Sequence, residues 1–333
     1  MGLIVLGIDL SLTSAAVALS PGARLAFWDA LTAPTLPLWL TLTRATTGSY
    51  FDASAVMQSA AINAARFDHD PLTGAARGLL VESSRANSAK YSQTFLNGAW
   101  TKDHSSIGVG LTGPDGVAGS AVKLIEDATT GNHQFYQLSV LAAGTCALKA
   151  IVKAAERTIA YVSAYDGTLT RIAYFDLATG LIAATSNATS PKITPMAQGF
   201  FEISAIVAPT AAASASVGAA AVSGTQGYAG NGSSGLYAFA LQAEAGGYPT
   251  SYIPTTSAAA TRAADALSLA AGYSGNPIIV ETQSEATGAI SRTLHNPGSG
   301  ISALADVWLR KAAVYRIGTP TSVLNAIVAG GAW

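Results

Sequence analysis

Apolar and polar positions alternate along most of the chain with a period of two. TLPLWLTLT sets Leu36, Leu38, Leu40 and Leu42 against Pro37, Trp39, Thr41 and Thr43. HQFYQLSVL places Tyr136, Leu138 and Val140 on one face. TCALKAIVKAA sets Cys146, Leu148, Ala150 and Val152 against Lys149, Ile151 and Lys153. GFFEISAIVA sets Phe201, Ile203, Ala205 and Val207 against Phe200, Glu202, Ser204 and Ile206. GLYAFALQAEAG sets Tyr237, Phe239 and Leu241 against Ala238, Ala240 and Gln242. Such alternation marks strands with one buried face. The turn formers GPDG, TTGN, YDGT, LATG and GNGSSG separate the runs. Many short strands at roughly ten-residue spacing predict an all-β protein built on a β-sandwich or jelly roll.

Three regions follow. Residues 1–86 form a β-rich N-terminal segment, residues 87–256 carry the long strand series of the jelly roll, and residues 257–333 form a small β-rich C-terminal region. The small, polar PTTSAAATRAA connects the last two. The C-terminal region predicts strands near PIIVETQ and AISRTL and closes with DVWLRKAAVYRIGTPTSVLNAIVAGG. There Val307, Leu309, Ala313 and Tyr315 share one strand parity, with Lys311 the exception. Thr319 is placed to cap a short helix with Pro320 at its first position and Gly330 at its end. No heptads or tandem repeats are present.

Composition narrows the function classes. Of 333 residues only 11% are charged, and the net charge is -1. A basic nucleic-acid footprint and an acidic tail are both excluded. Mean hydropathy is +0.35, yet no stretch of about 20 residues lacks Gly, Ser, Thr, Asn or Pro breaks, so no membrane insertion is expected. The opening MGLIVLGIDLSLTSAAVALSPG lacks a basic start and carries Asp9 in its apolar run, which reads as strand-like rather than as a targeting segment. A free soluble monomer normally keeps a charged exterior. So low a charge content leans towards a component of an assembly. Cys146 is the sole cysteine, which rules out an intrachain disulfide and a Cys-based zinc site.

Candidate chemistry centres on ARFDHDPLTGAARGLLVE, which puts Asp68, His69 and Asp70 side by side. The structural reading is a hairpin: ARFDHD and RGLLVE as strands, PLTG as the turn. In a strand Asp68 and Asp70 point to one side and His69 to the other. The alternative is an ion site, with Asp68 and Asp70 holding a structural calcium, the only cofactor considered. Catalysis is the third reading and lacks a partner and a pocket. His104, His133 and His295 stand in turn-like contexts (KDHSS, TGNHQ, LHNPG) and read as solvated loop histidines. GVGLTG does not join a strand to a helix, and no nucleophile elbow occurs.

LTLTRATTGSYFDASAVMQSAAINAARFDHDPLTGAARGLLVESSRANSAKYSQTFLNGAWTK and LYAFALQAEAGGYPTSYIPTTSAAATRAAD resemble a module of tailed-bacteriophage and prophage structural proteins. The shared pattern is Thr-Arg-Ala, then Tyr-Phe-Asp-Ala, Arg-Phe-Asp-His-Asp-Pro, Gly-Leu-Leu-Val-Glu and Asn-Gly-Ala-Trp-Thr-Lys. The two matches bracket residues 42–265. RANSAK, residues 85–90, departs from the Thr-Asn-Leu common in that family, and the first 35 residues match nothing in it. The resemblance implies a carbohydrate-binding-module-like jelly roll with Phe95 and Trp100 as core anchors. The end of the chain weakly resembles the last strand and helix of lectin-like sandwiches.

The resemblance further implies a non-enzymatic virion protein of fibre, spike, collar or minor-tail type, assembled in the host bacterial cytoplasm. Its expected partners are further copies of itself, as a homotrimer, other virion proteins through the N-terminal segment, and host surface glycan. The alternative function is a glycan-binding module, with sugar stacking on Tyr161, Tyr165 and Tyr174. Those tyrosines read otherwise as core or subunit contacts. Asp115 and Asp127 are turn residues that a calcium site could recruit. A polysaccharide depolymerase would need two carboxylates about 5–10 Å apart across a cleft.

Overall fold

A computed structural model describes residues 24–296, 301 and 304–333. The strand-like reading of the opening segment and the proposed anchor fall largely outside these residues. The described chain is all-β, with one short helix, Thr321–Val328, near its end. No described helix is long and apolar enough to cross a membrane.

The centre is a β-sandwich of two six-stranded antiparallel sheets. The front sheet runs Thr189–Pro195, Phe200–Val207, Cys146–Ala154, Gly235–Ala245, Ala121–Glu126, Ser105–Leu111. The back sheet runs Leu181–Ser186, Thr170–Asp176, Ile159–Tyr165, Ala213–Ala220, Gln134–Leu141, Thr101–Asp103. The chain crosses repeatedly between them, as expected of a jelly roll. Alternate residues from both sheets interleave in one core. Cys146, Leu148, Ala150 and Val152 meet Ile203, Ala205 and Val207 there, as their parity predicts. Phe95 is fully buried against Trp100 and Phe135, with ring centroids 4.7 and 5.3 Å apart. Small Ala residues at 160, 164, 173, 215 and 219 let the back sheet approach closely.

Two of the strands read from alternation break it at a one-residue bulge, and a third is irregular without exchanging faces. A bulge adds one residue to a strand and swaps the face of everything beyond it. In Gly235–Ala245 the pairing passes from Ile151↔Ala240 to Val152↔Ala238, leaving Phe239 extra. Leu236, Ala238 and Leu241 therefore share the sandwich core, while Phe239 faces out. Around Ser139, whose φ is 54°, the register against Ala213–Ala220 shifts. Two extra residues are taken up there, so parity is kept: Phe135 and Leu141 both point inward and Leu138 is exposed, against the face predicted by alternation. In Val307–Tyr315 the pairing skips Arg310. Leu309, Ala312 and Val314 then line one core, and Ala313 and Tyr315 pack under the helix against Leu324 and Ile327. The exception at Lys311 follows from this extra residue.

A third sheet joins both ends of the chain. Its order is Ile290–His295, Ile278–Ser284, Val307–Tyr315, Ala76–Val81, Phe67–His69. Arg24–Asp29 shares the far half of the Val307–Tyr315 edge. Strands from residues before 86 and after 257 thus lie side by side in one structure. Leu40–Thr43 begins only at Leu40 and pairs with Ala266–Leu269, burying Leu40 and Leu42. Gly48–Phe51 pairs with Met57–Ala60. Arg85–Asn87 pairs with Ala260–Arg262. The Thr319 hydroxyl donates to the Arg316 carbonyl instead of capping the helix, whose N-cap is Pro320 without a side-chain cap.

Part of the outer face of the front sheet is covered. Ile151, Phe200, Phe239 and Ala240 pack there against Met57, Met196 and Tyr252. This second apolar layer docks the Met57 hairpin and the segment after Ala245 onto the sandwich.

Gly78 shows how closely the elements meet. Its φ is +121°, and a Cβ there would lie 2.6 Å from the Leu309 carbonyl oxygen. Gly78→Ala is expected to lower stability by ~1–3 kcal/mol, through backbone strain and lost pairing with Val307–Tyr315. Denaturant unfolding of the two proteins checks this.

Candidate functional site

The ends of several strands converge on a buried ionic cluster. Arg44 follows Leu40–Thr43, Arg66 precedes Phe67–His69, Glu82 follows Ala76–Val81, and Arg262 closes Ala260–Arg262. Asp265 stands just before Ala266–Leu269. Their side chains are buried, at most 1% exposed. Arg66 donates to Glu82 at 2.5 Å and also to Asp265. Arg44 donates to the other oxygen of Asp265 at 2.9 Å. Arg262 lies 3.1 Å from Glu82 and donates to the Ser83 carbonyl at 2.7 Å. The Ser251 amide and hydroxyl both donate to Glu82 at 2.7 Å. The Glu82 amide donates to Asp265 at 2.9 Å. Burial alone would raise the Glu82 pKa, but Arg66 and Arg262 outweigh it and hold it at about 2.

Glu285 reaches the same cluster from the turn after Ile278–Ser284. Its carboxyl lies in hydrogen-bonding contact with Glu82. No N–H or O–H of the described residues reaches its buried Oε2. Burial, then the charge of Glu82, pushes its pKa well above the usual carboxylate range. Two buried carboxyls in contact favour the neutral form of one of them, here Glu285.

Beside this cluster, between the sandwich and the terminal sheet, lies a cleft of about 460 Å³. Rings of Tyr50, Tyr248 and Trp308 border it. One wall is the outward polar face of the front sheet. There Lys192 pairs with Ser204, Ser204 with Lys149, and Lys149 with Gln242, in register across four strands. At the strand spacing this row spans roughly 14 Å. Lys149 is buried, donates to the Thr250 carbonyl and stands 3.3 Å from Glu202. Arg77 is bound to Asp70 and lies over the Trp308 ring, 5.0 Å from its centroid.

The residues singled out in the sequence occupy other places. The Phe67 hairpin forms as predicted, with Arg77 an extra residue in the returning strand. Asp68 turns inward and accepts from the Phe51 amide at 2.8 Å and from the Trp308 indole at 2.8 Å. Burial raises its pKa. Asp70 turns outward and accepts from the Leu72 and Thr73 amides and from Arg77. Although it is partly desolvated, these donors hold its pKa below the ordinary value. Asp68 and Asp70 share no partner: Asp68 lies in the strand, and Asp70 lies beyond its end in the turn. Among the described residues no group of three His, Cys, Asp or Glu side chains could hold a metal. Asp115 and Asp127 cap their own turns, at Val117 and Thr129.

Tyr161 and Tyr174 face each other across paired strands with centroids 5.7 Å apart. They are 0% and 3% exposed, in a cluster with Ile172 and Ala220, and buried rings offer a sugar no stacking face. Tyr165 is half exposed at the hairpin end, its hydroxyl donating to the Gly167 carbonyl. His133 is buried rather than solvated. Its ring contacts the carbonyls of His104 and Tyr228 and lies 4.4 Å from the Tyr228 ring. His104 is partly exposed beside Thr129, and His295 ends a strand.

The Glu285 proton gives a signed pH dependence. Above the unfolded carboxyl value of 4.5, folding must keep a proton that the unfolded chain has released. That cost grows with pH up to the folded pKa and is absent below the unfolded one. Glu285→Gln keeps a donor to Glu82 without the titration. Its melting temperature is expected to exceed that of the parent at pH 8, with the gain vanishing near pH 4. Thermal unfolding at the two pH values checks this.

In comparisons with known proteins, no protein-family model and no curated protein matches the chain.

Proposed function

We propose that the protein is a self-associating structural component of a tailed-bacteriophage virion, of fibre, spike, collar or minor-tail type. The observation that carries this reading is the apolar, uncharged edge of the sandwich. Two edge strands, SSIGVGL at Ser105–Leu111 and LIAATS at Leu181–Ser186, contain no charged residue. Exposed edges normally carry charge, proline or cover to prevent pairing with other chains. Val109, Leu138 and Leu96 are 89%, 72% and 70% exposed, and Leu181 is 64% exposed. Such surfaces suit burial against neighbouring subunits.

The sequence resemblance supplies the virion context, and its shared motifs contain Arg44, Arg66, Glu82, Arg262 and Asp265 of the ionic cluster. These residues hold the module's shape and leave its exterior for contacts. Symmetric closure favours a small homo-oligomer, here a trimer.

Light scattering on a sizing column should give three times the chain mass of 33.6 kDa. Val109→Asp and Leu138→Asp should lower that mass without unfolding the sandwich. Gold-labelled antibody should decorate tailed particles that carry the protein. A monomer at every concentration, or unlabelled particles, would overturn the reading.

A further inference from the structure

We propose that Asn97–Gly98 is a self-modifying site, where the Gly98 backbone nitrogen displaces ammonia from the Asn97 side chain with help from Lys102. The proposal stands apart from the assembly reading, because it rests on the hydrogen bonds of one turn and not on the sheet edges.

The turn at residues 96–99 is pinned at both ends. Phe95 and Trp100 are buried, with ring centroids 4.7 Å apart. The Trp100 indole donates to the Tyr91 carbonyl at 2.9 Å. Gly98 and Ala99 are exposed at the tip. A fixed turn holds the reacting groups together, and its exposed tip admits the water that the reaction consumes.

Three features favour the attack. First, the nucleophile is unhindered. A Cβ at Gly98 would meet nothing within 4 Å, and the Gly98 N–H donates to no described group. Second, the electrophile is polarised. Asn97 Oδ1 accepts from the Ala99 amide at 2.9 Å, and Nδ2 has no partner among the described residues to hold it back. Third, the developing charge meets donors already in place. Lys102 Nζ donates to the Asn97 carbonyl at 2.9 Å, and the Trp100 amide donates to the same oxygen at 3.1 Å. That carbonyl shares its peptide group with the Gly98 nitrogen, so it takes up negative charge as the nitrogen loses its proton. A cation and an N–H aimed at the oxygen stabilise that charge. Lys102 makes no ion pair among the described residues, so no carboxylate offsets it.

The step balances with water alone. The Gly98 N–H proton passes to hydroxide, and the nitrogen bonds to Asn97 Cγ. The Cγ–Nδ2 bond breaks, and Nδ2 takes a proton from water and leaves as ammonia. Water then opens the cyclic imide at either carbonyl, leaving an aspartate or an isoaspartate at position 97. Either product sets a carboxylate beside Leu96, which is 70% exposed.

The chain carries a second Asn-Gly pair, Asn231–Gly232, built differently. Asn231 Oδ1 accepts from the Ser233 amide, the Ser233 hydroxyl and the Ser234 amide, and Nδ2 donates to the Ser234 hydroxyl. These bonds lock the carboxamide in place. No described donor reaches the Asn231 carbonyl, so the imide-forming charge has no support there.

The test warms the full chain at pH 8 and sorts its peptides by mass, with isoaspartate confirmed by enzymatic methylation. Asn97 should convert at least about tenfold faster than Asn231. Gly98→Ala fits the open space and should slow conversion about tenfold or more by crowding the nucleophile. Lys102→Met keeps the apolar stem and should slow it roughly tenfold, as expected for loss of one hydrogen bond to a charged group in the transition state. Lys102→Arg keeps the cation and should convert at close to the parent rate. No conversion at Asn97, or equal conversion at the two pairs, would overturn the proposal. So would a Lys102→Met rate matching the parent, or equal slowing in Lys102→Arg and Lys102→Met, which would assign the lysine to packing. Where the assembly reading holds, the converted chain should also show a lower mass by light scattering. Peptide mass and oligomer mass are read separately, so conversion without dissociation counts against Leu96 as a subunit contact and leaves the site standing.

Discussion

The structure depends on mutual neutralisation among Arg44, Arg66, Arg262, Glu82 and Asp265. None of these groups has water to turn to, so each requires the others. Glu82 and Asp265 are 183 residues apart, and Arg44 and Asp265 are 221 apart. The cluster therefore closes only when the N-terminal hairpins, the segment at Thr250 and the C-terminal strands have all arrived. Replacing such a set with apolar residues can leave stability unchanged, whereas deleting one member costs about 3–5 kcal/mol. Its contribution is specificity of arrangement, because the charges are satisfied only by residues from several separate elements. The apolar layer of Ile151, Phe239 and Tyr252 supplies the adhesion, and the charges supply the register.

Much of the sheet architecture was legible from alternation, because a strand with one buried face writes its period directly into the sequence. Cys146–Ala154 and Phe200–Val207 behave this way. Two of the failures share one cause. Phe239 and Arg310 are extra residues at bulges, and nothing in the local pattern announces where a strand will take one up. Past each bulge the alternation continues with faces exchanged. The joining of the two chain ends was hidden for a different reason: pairing between Val307–Tyr315 and Ala76–Val81 is a long-range choice that local periodicity does not encode.

The chemistry was partly legible and was sought in the wrong members of the right motifs. Asp68, His69 and Asp70 drew attention as adjacent polar residues, but adjacency along a strand separates side chains. The residues that converge are Arg66, just before them, and Glu82, at the end of the returning strand. In a chain with 11% charged residues, an arginine opening one strand and a glutamate closing its partner are themselves a signal. The cleft wall was visible too, as Lys149, Glu202 and Ser204 on the polar parity of two strands. What alternation could not tell was that this face is half covered, which turns a solvated surface into a cavity.

Low charge content and buried charge are two sides of one distribution. Arg44, Arg66, Arg262, Lys149, Glu82, Glu244 and Asp265 are withdrawn into the interior. The exterior is consequently poorer in charge than composition alone indicates, and uncharged strands stand at the sandwich edges. A monomer kept soluble by surface charge would be expected to distribute these groups the opposite way. Concentrating ionised groups where they fix the docking of the elements thus leaves uncharged strands at two of the sandwich edges, which suits them to burial against copies of the chain.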